Sequence, residues 1–177
     1  MEENIKIITD DTGKQVVQIN CIRFKGKRAV DWEDVRKYLN DYVGEMFTIA
    51  CSEDIVFLGK DLPDEYTGSV DTYSLKGTVA KAKANAAQGL GKMLEIATEG
   101  EHTANTKKMH AIDAANGWYK YTTRFALPAY GQNGNIERYN VFRGFMIIRH
   151  DQDGKKYLYD VIKIKKETSN PPGCQET

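Results

Sequence analysis

The sequence predicts an α+β protein in which helices pack on one face of a C-terminal antiparallel sheet, beside a small N-terminal α+β lobe. Three observations carry that expectation. Residues 117–168 hold three runs rich in β-branched and aromatic residues. The separators between them, GQNGN and DQDGKK, contain Asn133-Gly134 and Asp153-Gly154, dipeptides that tolerate the positive φ of tight hairpin turns. Ahead of these runs, KGTVAKAKANAAQGL and GKMLEIAT read as helix, so helices precede strands.

Taken in order, IKIITDDTGKQVVQINCIRF places Asp11-Thr12-Gly13 between two alternating runs, which predicts a small β unit. Asp31 to Asp34 opens a helix with acidic residues in its first turn, with Val35, Leu39, Tyr42 and Val43 on one face and Gly44 at its end. MFTIAC and DIVFLG read as two short strands, and KDLPDEYTGS, with Pro63 and Gly68, reads as a linker. A boundary there divides the chain into an N-terminal lobe at 1–61, a main domain at 62–171 and a tail at 172–177. In the helical region Val79, Ala82, Ala86 and Leu90 share one stripe, Lys76, Lys81 and Lys83 lie largely outside it, and Gly89 and Gly91 predict a break. Residues 99–116 read as a loop followed by a short helix from about Thr106, capped by Asn116-Gly117. Strands are expected at 118–128, 137–149 and 156–165. Phe142, Met146, Ile148, Leu158, Ile162 and Ile164 should face the helices. The other face should gather Lys120, Thr122, Arg124, Tyr139, Arg143, Ile147, Arg149, Tyr157, Tyr159, Lys163 and Lys165, a surface suited to an anion such as phosphate.

The chain has 177 residues with 25 basic and 25 acidic side chains, so binding to a polyanion has to be local rather than a property of overall charge. Residues 137–166 carry an excess of cations and are the place for it. Three cysteines without CxxC spacing argue against a zinc site and a disulfide framework, and the expected setting is the reducing cytoplasm. No apolar run reaches the roughly 18 residues of a membrane span, and no membrane partner is expected. Phosphate loops, dinucleotide fingerprints, GxSxG and HExxH are missing from the sequence, so no cofactor and no metal are expected.

His110 is a group that titrates near neutrality, followed by Thr122, Thr123 and Arg124, and later by Arg143, Arg149, Lys165, Lys166 and Thr168. Metal-independent RNA cleavage needs a base, an acid and cations for the charge on phosphate, and these residue types suffice. A histidine at a helix end is also commonly a capping group. Trp118, Tyr119, Tyr121, Tyr139, Tyr157 and Tyr159 read either as base-stacking platforms or as cross-strand packing.

The runs LKGTVAKAKANAAQGLGKMLEIAT, KKMHAIDAANGWYKYTTRFALPAY, ERYNVF and KKYLYDVIKIKKETSNP resemble a domain of the large polyvalent proteins of phages and conjugative elements. In layout that domain is similar to the barnase, EndoU, colicin and RelE-like nuclease superfamily. The resemblance implies a metal-independent ribonuclease-like activity, with His110 as general acid/base, Arg124 and Lys165 stabilising phosphate, and Thr168 as a hydrogen-bond partner. Lys120, Thr122, Arg143, Arg149, Tyr159 and Lys163 are the expected nucleic-acid contacts. The alternative is a non-catalytic accessory domain that binds nucleic acid or a protein partner of the element.

Overall fold

A computed structural model describes residues 4–26 and 28–170, with side chains described through Glu167. The expected tail at 172–177 lies outside these residues. The chain is mixed α+β, with five short helices and an eight-stranded sheet among the described residues.

The centre of the sheet is the antiparallel meander read from the sequence. Strands β6 (Trp118–Tyr130), β7 (Ile136–His150) and β8 (Lys156–Asn170) follow one another, with Gly134 at φ 81° and Gly154 at φ 85° in the two turns. The N-terminal segment supplies both flanks. Strands β1 (Ile5–Thr9) and β2 (Gln15–Ile19) form a hairpin, and β2 pairs parallel to β6. Strands β3 (Met46–Thr48) and β4 (Ile55–Phe57) form a second hairpin, and β4 pairs parallel to β8. The resulting order is β1-β2-β6-β7-β8-β4-β3, so segments on both sides of residue 61 share one sheet. Helix α1 (Trp32–Asn40) joins the two hairpins, capped by the Asp31 carboxylate and burying Val35 and Leu39.

Several local expectations are corrected. The expected linker forms α2 (Leu62–Gly68) and α3 (Val70–Ser74). Pro63 suits the first turn of a helix, Asp64 and Glu65 face its positive end, and burial of Leu62 and Tyr66 supplies the stabilisation. The expected break appears as a 3-10 turn, Ala87–Gly89, between α4 (Gly77–Ala86) and α5 (Leu90–Ile96). Close packing explains one of these glycines: a Cβ on Gly91 would lie 2.2 Å from the Phe47 ring. The loop after α5 is strand β5 (Thr98–Thr103), paired with the start of β6, and the expected helix near Thr106 is only a 3-10 turn, Lys108–His110. Ordering comes there from the sheet edge, a tertiary partner that local periodicity does not register.

The main core joins Val35, Leu39, Leu62, Tyr66, Leu90 and Met93 of the helices to Phe125, Phe142, Met146, Ile148, Leu158 and Val161 of the sheet. Ile162 is a correction, because it is only half-buried while Val161 is fully buried. The register between β7 and β8 shifts three times, each shift adding a residue to β8. A bulge reverses the side to which following side chains point, and Lys163 carries the strain of one of them at φ 53°. Lys83 is the second correction. Its side chain has no exposed surface, and its ammonium lies 3.0 Å from Asp71 and 2.8 Å from Asp160.

Candidate functional site

Register defines the face opposite the main core. Three cross-strand rows run over β6, β7 and β8: Lys120, Ile147 and Asp160; Thr122, Phe145 and Ile162; Arg124, Arg143 and Lys165. Directly opposed residues of antiparallel strands share a face, so Phe145 and Ile147 lie among cations. Phe145 has the Lys120 ammonium 4.8 Å from its ring centroid and the Arg143 guanidinium 5.9 Å from it. Phe145, Ile147 and Ile162 are all half-buried, which leaves apolar surface open between the charges. At the bulge that follows, the Tyr159 ring lies 5.1 Å from Trp118, and the neighbouring Asp160 is buried with its carboxylate 2.8 Å from the Lys83 ammonium.

The cations are not equally available. Arg124 donates from Nε to Glu167 at 2.8 Å and its side chain is 11% exposed. Lys120 pairs with Glu101 of β5 at 3.5 Å, and Thr122 donates to Glu99. Arg149 is buried, bonded to Asp151 at 2.7 Å and to the Asp113 carbonyl at 3.1 Å, with its guanidinium over the Tyr157 ring. It holds the β7–β8 turn together and is not presented to a ligand. Arg143 and Lys165 are opposite one another, and among the described residues neither has a carboxylate partner within ion-pair distance. Lys163 is exposed at its bulge, where its backbone N–H donates to Asp71. The side chain of Thr168 lies outside the described residues, and its backbone pairs with Val141.

His110 stands at the other end of the face. The 3-10 turn places its ring edge-on to Trp118 (5.0 Å) and Tyr159 (5.5 Å), and Nδ1 donates to the Asp113 carboxylate at 2.9 Å. The ring borders a cleft of about 290 Å³ lined by Thr103, Asn105, Lys107, Trp118, Ile147 and Tyr159. Burial, then a hydrogen bond to Glu65, raises the Tyr159 phenol above its ordinary value, so the hydroxyl keeps its proton. A carboxylate on Nδ1 fixes the imidazole tautomer and leaves Nε2 to act on a ligand. Trp118, which packs on His110, is six residues before Arg124 on β6, a separation of about 20 Å at the rise of a strand.

Seven of the ten residues expected from the sequence therefore fall into two groups, with Arg149, Lys163 and Thr168 outside both. Lys120, Thr122, Arg124, Arg143 and Lys165 gather on the middle of the face, and His110 and Tyr159 gather at the cleft. Arg124 and Lys165 do not stand beside His110. The cation nearest to it in the cleft wall is Lys107, which the sequence reading passed over, together with Asp113. The signal for Asp113 was the i, i+3 spacing from His110, which a turn of helix brings to one side. Among the described residues there is no group of three or more His, Cys, Asp or Glu arranged to hold a metal ion, and no helix is long and apolar enough to cross a membrane. Protein-family models, curated proteins and solved structures were all compared with this chain, and none matches it.

Proposed function

We propose that the face of β6, β7 and β8 opposite the main core binds single-stranded RNA, and that the protein serves as a nucleic-acid-binding domain. The observation that carries this reading is the alternation of open apolar surface with cations that have no carboxylate partner among the described residues: Phe145, Ile147 and Ile162 beside Arg143 and Lys165. Bases stack on such surfaces while cations follow the phosphates, and unpaired strands are bound in this way. In this reading the helices cover the core face and leave the opposite one to the ligand. The resemblance to polyvalent-protein domains supports a role in the cytoplasm during transfer or expression of a phage or conjugative element.

His-assisted cleavage is the second reading, favoured by the His110–Asp113 dyad. With Arg124 and Lys165 remote, Lys107 takes the part of phosphate cation; Nε2 accepts the 2′-hydroxyl proton as that oxygen bonds to phosphorus and the P–O5′ bond breaks, the departing 5′-oxygen takes a proton from water, and His110 with Lys107 replaces the expected quartet.

The test is fluorescence anisotropy of a labelled short RNA, with cleavage followed separately in excess EDTA. Binding weakened by Arg143→Ala and Lys165→Ala supports the first reading. Cleavage in EDTA that falls by roughly 10²- to 10⁴-fold in His110→Ala, with affinity kept, supports the second. Neither binding nor cleavage leaves a protein partner as the occupant of this face.

A further inference from the structure

The cleft beside His110 contains a ring nitrogen that the fold leaves unused. Nδ1 is taken by Asp113, and Nε2 has no partner among the described residues. No buried side-chain nitrogen or oxygen among them lacks a hydrogen bond, so Nε2 is not sealed inside the protein. A neutral imidazole that donates from Nδ1 carries its lone pair on Nε2 and accepts there.

His110 shares the cleft with Asn105, Lys107, Trp118, Ile147 and Tyr159. Asn105 is saturated: its Oδ1 accepts from Trp118 Nε1 and from the Lys107 N–H, and its Nδ2 donates to the carbonyls of Lys107 and His110. Its work is to hold the loop and the indole in place, which leaves recognition to others. Trp118, Tyr159 and Ile147 form the apolar walls, and Lys107 on the wall has no carboxylate partner within ion-pair distance among the described residues. Trp118 and Ile147 also sit in the register that continues to Lys120, Phe145 and Arg143, so the cleft opens at one end of the cationic face. Aromatic and apolar walls, a hydrogen-bond acceptor and a cation together match a planar heterocycle that carries an amino group and a phosphate.

We propose that this cleft takes one unpaired nucleobase with an exocyclic amino group, its amine donating to His110 Nε2 and its phosphate meeting Lys107. The proposal rests on the nucleic-acid reading of the adjoining face. Adenine presents such an amine, whereas uracil presents a carbonyl oxygen that would face the lone pair of Nε2.

The protein has two tryptophans, Trp32 and Trp118, so a nitrogen–proton correlation spectrum has two indole signals, assigned with Trp32→Phe. Titration with adenosine monophosphate is expected to move the Trp118 signal saturably and leave that of Trp32, which also reports an intact fold. Uridine monophosphate should bind about tenfold more weakly, and His110→Ala should weaken adenosine monophosphate by a similar factor, the worth of one buried hydrogen bond. His110→Gln provides a second variant if the alanine form does not fold, and it should also bind more weakly because its amide is not held by Asp113. Absence of a saturable Trp118 shift while labelled RNA still binds overturns the cleft and leaves the face. Equal affinity for the two mononucleotides, or no loss in both His110 variants, overturns the role of Nε2. Loss of all binding, RNA included, removes the reading of the face itself.

Discussion

Lys83 illustrates how a single side chain can be misread when only its helix is considered. Its position in α4 is compatible with a solvated lysine, yet the ammonium is enclosed by Asp71, Asp160 and the Tyr66 ring. Removing it strands two carboxylates, one of them buried, and such losses cost roughly 3–5 kcal/mol. Lys83→Ala is therefore expected to lower the unfolding free energy in urea by that order, and a change under about 1 kcal/mol would contradict the buried network. Asp160 has a separate consequence. Burial pushes its carboxyl up from 3.8 to about 6, outweighing the pull of Lys83. The folded chain thus keeps a proton that the unfolded chain releases, so this contribution to stability is complete below about 3.8 and declines as pH rises toward about 6. Asp160→Asn cannot titrate. The stability of the parent relative to this variant should fall across that window, and a flat or rising difference would reject the assignment.

At the scale of the element, β8 is the informative strand. Strict alternation predicts that Leu158, Ile162 and Ile164 share the core face, and Leu158 and Ile164 are indeed buried. Between them the strand changes phase, because its extra residues leave Val161 buried and Ile162 half-open. Val161→Ala is expected to cost about 2 kcal/mol, from two buried methyl groups and the cavity they leave. Ile162→Ala should cost clearly less although it deletes more carbon. Comparing the two midpoints in urea decides the phase of the strand, and a larger loss at Ile162 would restore strict alternation. If Ile162 also lies under the RNA, its truncation should weaken binding while barely changing stability.

For the whole molecule, equal numbers of acidic and basic groups mean that any attraction for a polyanion arises from arrangement. Carboxylates engage Arg124, Lys120 and Arg149, and among the described residues Arg143 and Lys165 form a cross-strand pair without a carboxylate partner. Binding of single-stranded RNA should weaken with salt, with a slope of about 0.7 per neutralised phosphate. Arg143→Ala with Lys165→Ala should reduce that slope by about 1.4, while Arg149→Lys should leave it unchanged and lower thermal stability instead. A slope unaffected by the double substitution would move the interface away from this row.

Local chemistry determined the meander in advance: Asn-Gly and Asp-Gly supply the positive φ of the turns, and apolar alternation marks one face of β7 and, less faithfully, of β8. Such signals are legible because they depend on neighbours in the chain. Residue type alone names His110 and the cations of β6, β7 and β8 as candidates, without deciding which of them meet. Tertiary structure alone decided the other matters. It paired β2 and β4 in parallel at the two flanks, made a strand of 98–103 at the edge of β6, and formed helices where Pro63 suggested a linker. It also separated His110 from Arg124, since two residues that look adjacent in a list of candidates occupy opposite ends of the same strand's reach. Strand pairing and burial are sums over distant contacts, and no window of neighbouring residues contains them.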